Sequence, residues 1–547
     1  MIRKDIFTAA AVAAIAVGLF AQSGTGWSQQ AAPGRAAVAA PQPTGKAPVV
    51  RVTGGQVQGI MFNDIAVYRG IPFAAPPVGD FRWRAPQPVK SWTGVRDAGT
   101  FGATCQGNGA EDCLYLNVWK PAGAKAGDKL PVMVWIYGGS FTSGAGSLYD
   151  GTPFVKNGIV YVSFNYRLGR SGWFTHPAIT KNKPAGETVG NYGLQDQLAA
   201  LRWVQANITA LGGDKNNVTI FGESAGAISV NYLMTVAQRG LFQKAIAESG
   251  FGINPGTPLA DSEKLGSTFA SSKNITGDSP ATLAALRAIP WADLQPGMPI
   301  GSAGPILDGG LVKRGSDASF DQGLELKIPY MLGGNSNEAS LFPTRDPAGR
   351  LAKLTGLPAS YDPDNTREAN RIVNRVVTDY FIGAGDRLLA RDHIKTGQPT
   401  FRYYFSYLPP AQRATSLGLA HGGEIAYVFG RSVTDPQDLA TSQAAVAYWS
   451  AFAKYGNPGA AGGVNWPKYD LASEPVMEFG INGLAVRNHL FDARYDWALA
   501  NRTLIAATSD PGTPGGPPAP PAGAAPAAGR GGGAAGAAPA RGAGRGG

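Results

Sequence analysis

Short apolar runs rich in β-branched and aromatic residues recur along the chain, each ending in glycine or a polar turn. Val132–Tyr137, Ile159–Phe164, Val218–Phe221, Ile328–Leu332 and Phe401–Tyr407 are examples. Between them lie stretches with helical spacing. Over Leu194–Asn207 the apolar residues Leu194, Leu198, Leu201 and Val204 recur every three or four positions. Strands alternating with helices predict an α/β fold, a mostly parallel sheet covered by helices on both faces. No internal repeat is visible.

One junction between such elements is unusual. Gly222-Glu223-Ser224-Ala225-Gly226 follows the strand-like Val218–Phe221 and opens the helix-like Ala227–Met234. A serine on a tight strand-to-helix turn projects its hydroxyl above the sheet, and a turn that sharp needs small flanking residues. The helix N-terminus also favours an adjacent oxyanion.

The two ends of the chain break the pattern. Arg3-Lys4 precedes an apolar run, Ile6–Ala21, that is short for a bilayer span and is followed by small residues. This predicts an export signal over 1–28, cut after Ala21-Gln22-Ser23 or Gly26-Trp27-Ser28, with an uncleaved membrane anchor as the alternative. No cysteine follows the run to carry a lipid, so no stable anchor is expected, and the protein should reach the periplasm or the medium. Residues 29–48, rich in Ala, Pro and Gln, read as a flexible lead-in to a domain over 49–508, and 509–547 as a disordered Gly/Ala/Pro/Arg tail.

Composition then narrows the function. The 547 residues and an apolar fraction of 44% allow a large core. The net charge of +10 hints at nucleic acid, but it divides into +3 before residue 51, +4 in the body and +3 after residue 510, with no long basic run in the body. The Arg-Gly pairs of the tail lack interleaved aromatics, so no nucleic-acid partner is expected; the alternative, RNA binding by the tail, predicts salt-sensitive affinity. Two cysteines exclude an all-cysteine zinc site and a disulfide-dense scaffold.

Several motifs in order resemble the type-B carboxylesterases of the α/β-hydrolase superfamily, the group of cholinesterases and para-nitrobenzyl esterases. They include Gly70-Ile71-Pro72-Phe73-Ala74, Glu111-Asp112-Cys113-Leu114-Tyr115-Leu116-Asn117-Val118-Trp119, Asn165-Tyr166-Arg167-Leu168-Gly169 and Gly190-Asn191-Tyr192-Gly193-Leu194-Gln195-Asp196. Phe452-Ala453-Lys454-Tyr455-Gly456-Asn457-Pro458 and Trp466-Pro467-Lys468-Tyr469 continue the likeness. It implies a large, mostly parallel sheet with inserted helical segments around an active-site gorge.

A serine nucleophile needs a base, and only His176, His393, His421 and His489 can serve. His421, in Gly418-Leu419-Ala420-His421-Gly422-Gly423-Glu424, matches the family's catalytic-histidine loop; the other three have no matching setting. Glu338, in Gly333-Gly334-Asn335-Ser336-Asn337-Glu338, matches the acid loop and obeys the order Ser, acid, His. Asp308 competes for that role but resembles a structural Asp-Gly of the family. Tyr137-Gly138-Gly139-Ser140-Phe141 resembles the oxyanion loop, so the N–H groups of Gly139, Ser140 and Ala225 are expected to hold the oxyanion. Ser140 replaces the usual third glycine and adds a side chain that narrows the pocket. Glu223 is a substrate-site candidate or a structural part of the turn.

The resemblance also pairs Cys105 with Cys113, free thiols being the alternative, and pairs Arg82 with Glu111 and Arg167 with Asp196. Only seven residues separate the cysteines and none is aromatic, unlike the long choline-binding loop of cholinesterases, which speaks against choline esters. The expected function is hydrolysis of a small-molecule carboxylic ester through an acyl-enzyme, with no metal or organic cofactor. Because His421 must be neutral to act as base, activity should rise with pH through roughly 6–7. Lipase or aromatic/polymer-ester hydrolysis, and a non-catalytic binding role on the same fold, are the alternatives. The sequence carries no signal of oligomeric state.

Overall fold

The computed structural model describes residues 42–509 apart from 297, 299–300 and 432–434. The expected signal at 1–28, the lead-in as far as residue 41 and the tail from 510 lie outside the described residues. No helix among those described is long and apolar enough to cross a membrane.

In chain order the strands are β1 (Gly45–Val52), β2 (Gly55–Phe62), β3 (Ile65–Pro72), β4 (Val95–Asp97), β5 (Tyr115–Pro121), β6 (Leu130–Ile136), β7 (Val160–Phe164) and β8 (Gly213–Glu223). They continue as β9 (Lys244–Glu248), β10 (Thr257–Pro258), β11 (Ile306–Leu307), β12 (Tyr330–Asn335), β13 (Thr400–Phe405), β14 (Pro475–Gly480) and β15 (Gly483–Asn488). All but the β10–β11 pair form one 13-stranded sheet in the order β1-β2-β3-β5-β7-β6-β8-β9-β12-β13-β14-β15, with β4 beside β2. From β7 to β14 every neighbour is parallel; the two ends are antiparallel. β1 begins at Gly45, so residues 45–48 of the expected lead-in are part of the sheet.

The predicted runs lie in β6, β7, β8, β12 and β13, and their chemistry fits the place. β7, β9 and β12 are buried at every position, as strands covered on both faces must be. The helix α1 (Tyr192–Asn207) joins β7 to β8, α2 (Ala225–Val236) joins β8 to β9, and α3 (Pro436–Tyr455) joins β13 to β14. α3 starts at Pro436 behind Asp435, whose side chain accepts from the N–H groups of Gln437 and Asp438, and ends on Gly456 at φ +69°. Side chains from both faces of the sheet fill one large core, with Trp135, Trp449 and Trp466 wholly buried within it.

The inserted stretches leave from the C-terminal ends of the parallel strands. Ser224 follows β8, Ser249 follows β9, Glu338 follows β12 and His421 follows β13, so the sheet lines these residues up along one edge.

Candidate active site

Ser224 caps α2 with φ 56° and ψ −122°, a conformation that side-chain-bearing residues rarely adopt. Its N–H donates to the Glu248 carbonyl at 2.9 Å, and its own carbonyl accepts from Ile228 N–H at 2.9 Å. The flanking glycines have a steric cause. A Cβ on Gly226 would stand 1.9 Å from the Ile136 carbonyl oxygen, and one on Gly222 would stand 2.5 Å from the same atom. The turn is pressed against the end of β6, and only hydrogen fits between them.

Glu338 and His421 are 83 residues apart and are stitched together by their loops. Asn337 and Ala420 form a parallel bridge. Leu419 N–H donates to Ser336 Oγ at 2.8 Å, His421 N–H to Ser340 Oγ at 2.9 Å, and Asn335 Nδ2 to the Ala420 carbonyl at 3.0 Å. The imidazole Nδ1 then lies 2.5 Å from Glu338 Oε2. The other carboxylate oxygen accepts from Ser249 Oγ and from Asn335 N–H, both at 2.6 Å. Nδ1–H donating to the carboxylate leaves Nε2 of the neutral ring free to accept a proton. Nε2 lies 3.2 Å from Glu223 Oε1 and is not hydrogen-bonded to it or to Ser224.

Three buried glutamates, Glu223, Glu338 and Glu424, act on this histidine, and a fourth, Glu248, interacts with Glu223 and Glu424. Burial raises the Glu223 carboxyl to about 7 despite His421, and raises Glu248 and Glu424 as well. Burial works in the opposite direction on His421, but the charges of Glu223 and Glu338 outweigh it and lift the imidazole to about 9. The imidazole therefore loses its proton at more alkaline pH than the roughly 6–7 expected from the sequence. The cause is tertiary: carboxylates from the end of β8 and from the stretches that follow β12 and β13 converge on one ring.

The loop after β6 lies against the serine. A Cβ on Gly138 would be 2.9 Å from Ser224 Cβ and 2.8 Å from Glu223 Oε2. Gly139 (φ +104°), Ser140 (φ +54°) and Phe141 (φ +59°) then turn in the left-handed region. The N–H groups of Gly139 and Ser140 donate to no acceptor among the described residues. Ala225 N–H heads α2, where no carbonyl one turn back can receive it.

The chain as a whole has counterparts among known proteins. The model of the Carboxylesterase family matches residues 46–353 and 351–498. The fumonisin B1 esterase of Sphingopyxis macrogoltabida is 36% identical over 472 residues, covering 78% of this chain and 85% of that protein. Human carboxylesterase 5A is 32% identical over 508 residues, 82% of this chain and 87% of its own. Among solved structures, the Geobacillus stearothermophilus carboxylesterase EST55 superposes with a TM-score of 0.72 at 30% identity, over 82% of this chain and 99% of that one. A PNB esterase gives the same TM-score, identity and coverage. The chain belongs to the carboxylesterase family. It is a carboxylic ester hydrolase on the α/β-hydrolase fold.

In this carboxylesterase the other histidines sit elsewhere. His176 Nδ1 accepts from Ala178 N–H and caps a short helix; His393 is buried between Glu325 and the Ile328 carbonyl; His489 pairs with Asp492 in solvent. Asp308 accepts from Asn191, Gly310 and Val312 and bonds to no histidine. Cys105 and Cys113 form a buried disulfide. Arg82 holds Glu111 through two nitrogens and Arg167 holds Asp196 in the same way, both pairs as expected.

Sequence reasoning passed over Ser249, Asn335, Glu248 and Glu424 as parts of the site. Asn335 bonds the Glu424 carboxylate, Ser249 braces Glu338, and Trp449 Nε1 donates to Glu248 Oε1 at 2.7 Å. Asn335 and Glu424 lie inside the two loop motifs already singled out, the one sequence signal that could have found them. Nothing local distinguishes Ser249 or Glu248.

Proposed function

We propose that Ser224 is the nucleophile, His421 the general base and Glu338 the acid that holds it. Ser224 Oγ attacks the ester carbonyl carbon while its proton passes to His421 Nε2. The oxyanion is held by the N–H groups of Gly139, Ser140 and Ala225. His421 returns the proton to the leaving alcohol, and water cleaves the acyl-enzyme by the same steps. The reading rests above all on the 2.5 Å contact between His421 Nδ1 and Glu338 Oε2, at the same strand edge as a serine in a strained turn. Ser224 Oγ and His421 Nε2 are not hydrogen-bonded to each other here, and catalytic hydrogen bonds of this kind commonly tighten only when substrate binds.

The substrate is a small-molecule carboxylic ester. A fumonisin esterase among the relatives makes fumonisin B1 a member of the test panel, beside p-nitrophenyl esters of graded chain length that separate carboxylesterase from lipase behaviour. Export, with 1–28 removed and 49–508 as the hydrolase domain, is supported by the N-terminal pattern and by the disulfide. N-terminal sequencing of the mature protein tests it.

Labelling by a fluorophosphonate probe tests the catalytic reading. Modification at Ser224, with ester hydrolysis in Ser224→Ala reduced at least about 10³-fold, is the expected result. Near-full activity in that variant rejects the assignment.

A further inference from the structure

The oxyanion loop contains a carbonyl with an unusual number of donors. Gly139 O accepts from the N–H of Thr142 at 3.0 Å and of Ser143 at 3.1 Å. It also accepts from Ser143 Oγ at 3.2 Å and Thr142 Oγ1 at 3.3 Å. Four donors therefore converge on one oxygen. That oxygen belongs to the peptide whose N–H is Ser140's. In a planar trans peptide the C=O and N–H point in opposite directions, so whatever fixes one fixes the other.

The turn has no room to relax. A Cβ on Gly139 would be 2.4 Å from Ser143 O and 2.8 Å from Ser143 Oγ, so the glycine lets the turn fold back on itself. The far side is tied down by Phe141, whose carbonyl accepts from Gly169 N–H at 2.7 Å and whose ring lies 4.6 Å from that of Trp173.

We infer that Thr142 and Ser143 are positioning residues for ester hydrolysis: their hydroxyl groups hold the Gly139–Ser140 peptide so that Ser140 N–H faces the developing oxyanion. Two effects act together. A donor already aimed at the oxyanion costs no reorganisation when charge develops. A carbonyl that accepts several hydrogen bonds also polarises its own peptide, which makes the N–H a stronger donor. The backbone donors define the turn, and the hydroxyls restrict how far the peptide plane can rock. Neither hydroxyl needs to touch substrate. The inference rests on the esterase reading of Ser224.

The test compares Thr142→Val, Ser143→Ala and the double variant with the conservative exchanges Thr142→Ser and Ser143→Thr, each in the full chain. Four readouts are taken: Tm, kcat and KM for p-nitrophenyl butyrate, inhibition by an alkyl trifluoromethyl ketone, and inhibition by butyrate. The ketone forms a tetrahedral adduct whose oxygen occupies the oxyanion hole, whereas butyrate reports ground-state binding. The expected result is a kcat about tenfold lower in the double variant with KM within about twofold, a fraction of what loss of a whole oxyanion donor costs. Ketone affinity should fall in step with kcat/KM while butyrate affinity holds, and the conservative exchanges should stay within about twofold of the parent. If the double variant does not fold, the single variants decide on the same readouts. Unchanged kcat and ketone affinity in folded variants overturns the inference, as does a loss confined to KM or one that Thr142→Ser and Ser143→Thr share. Full activity in Ser224→Ala would instead overturn the esterase reading itself, so the two failures are distinguishable.

Discussion

The Nε2 atom of His421 lies 3.2 Å from Oε1 of Glu223, the residue that immediately precedes Ser224. A carboxylate that close stabilises the imidazolium and makes the base harder to free. If His421 is the base, as proposed, activity should be low below the raised value near 9 and rise toward alkaline pH. Removing the charge reverses the effect. In Glu223→Gln the imidazolium loses a stabilising neighbour, its pKa falls, and the limb of kcat/KM should move to lower pH by about 1–2 units. A pH profile from 5 to 10 with p-nitrophenyl acetate checks the sign. A limb that stays in place or moves upward would mean that Glu223 is uncharged where His421 titrates.

Glu338 binds His421 with one oxygen and Ser249 Oγ and Asn335 N–H with the other. Glu338→Gln removes the charge that stabilises the imidazolium and offers an amide where an acceptor is required. Its kcat should drop by about 10³–10⁴-fold. Ser249→Ala removes only one of the two donors to Oε1 and should cost about three- to tenfold, with KM little changed. Steady-state kinetics of the two variants test the ranking, and a larger loss in Ser249→Ala than in Glu338→Gln would reverse the assigned roles.

The nucleophile turn should be intolerant of a single methyl group. Gly226→Ala brings a Cβ to 1.9 Å from the Ile136 carbonyl, a backbone atom of a buried strand that cannot move aside. The expected cost is at least about 3 kcal/mol, or failure to fold. Gly123→Ala meets nothing within 4 Å and serves as the control, with an effect within about 0.5 kcal/mol. Urea denaturation followed by tryptophan fluorescence measures both.

These sites differ in how much of them is legible before folding. Ser224 is marked by local necessity: the turn needs glycine at 222 and 226, so the steric constraint is written beside the serine. His421 is marked by scarcity, as one of four histidines and the one in a glycine-rich loop. Glu338 needs the family motif, because a loop glutamate looks like any solvated acid until Asn337 bridges Ala420 and brings the two loops together. Ser249 and Glu248 carry no mark at all. They become part of the site only because β9 lies between β8 and β12 in the sheet, a parallel neighbourhood that no local pattern encodes. The alkaline shift of His421 is hidden for the same reason: it arises from carboxylates that meet only in three dimensions.

The disulfide loop offers a last test, one that separates stability from catalysis. Cys105 and Cys113 are buried and close a loop with a sequence separation of 8. Closing a loop of that length contributes about 2.5 kcal/mol through the unfolded state. The loop is also held in the native state at both ends. Gln106 Oε1 accepts from Gly144 N–H at 3.3 Å, and Glu111 takes two hydrogen bonds from Arg82. Arg82 in turn donates to the carbonyls of Arg287 and Ile289, tying the loop to an inserted helical segment. The double variant Cys105→Ser/Cys113→Ser should therefore lose about 2–3 kcal/mol of stability and a few degrees of Tm. Its kcat should stay within about threefold of the parent, because the Gly139 carbonyl is held from within its own turn and Gln106 reaches only the end of that loop, at Gly144. Denaturation midpoints and p-nitrophenyl butyrate kinetics on the same preparation check both halves. A tenfold fall in kcat with an unchanged midpoint would move the disulfide from the stability of the fold to the alignment of the oxyanion loop.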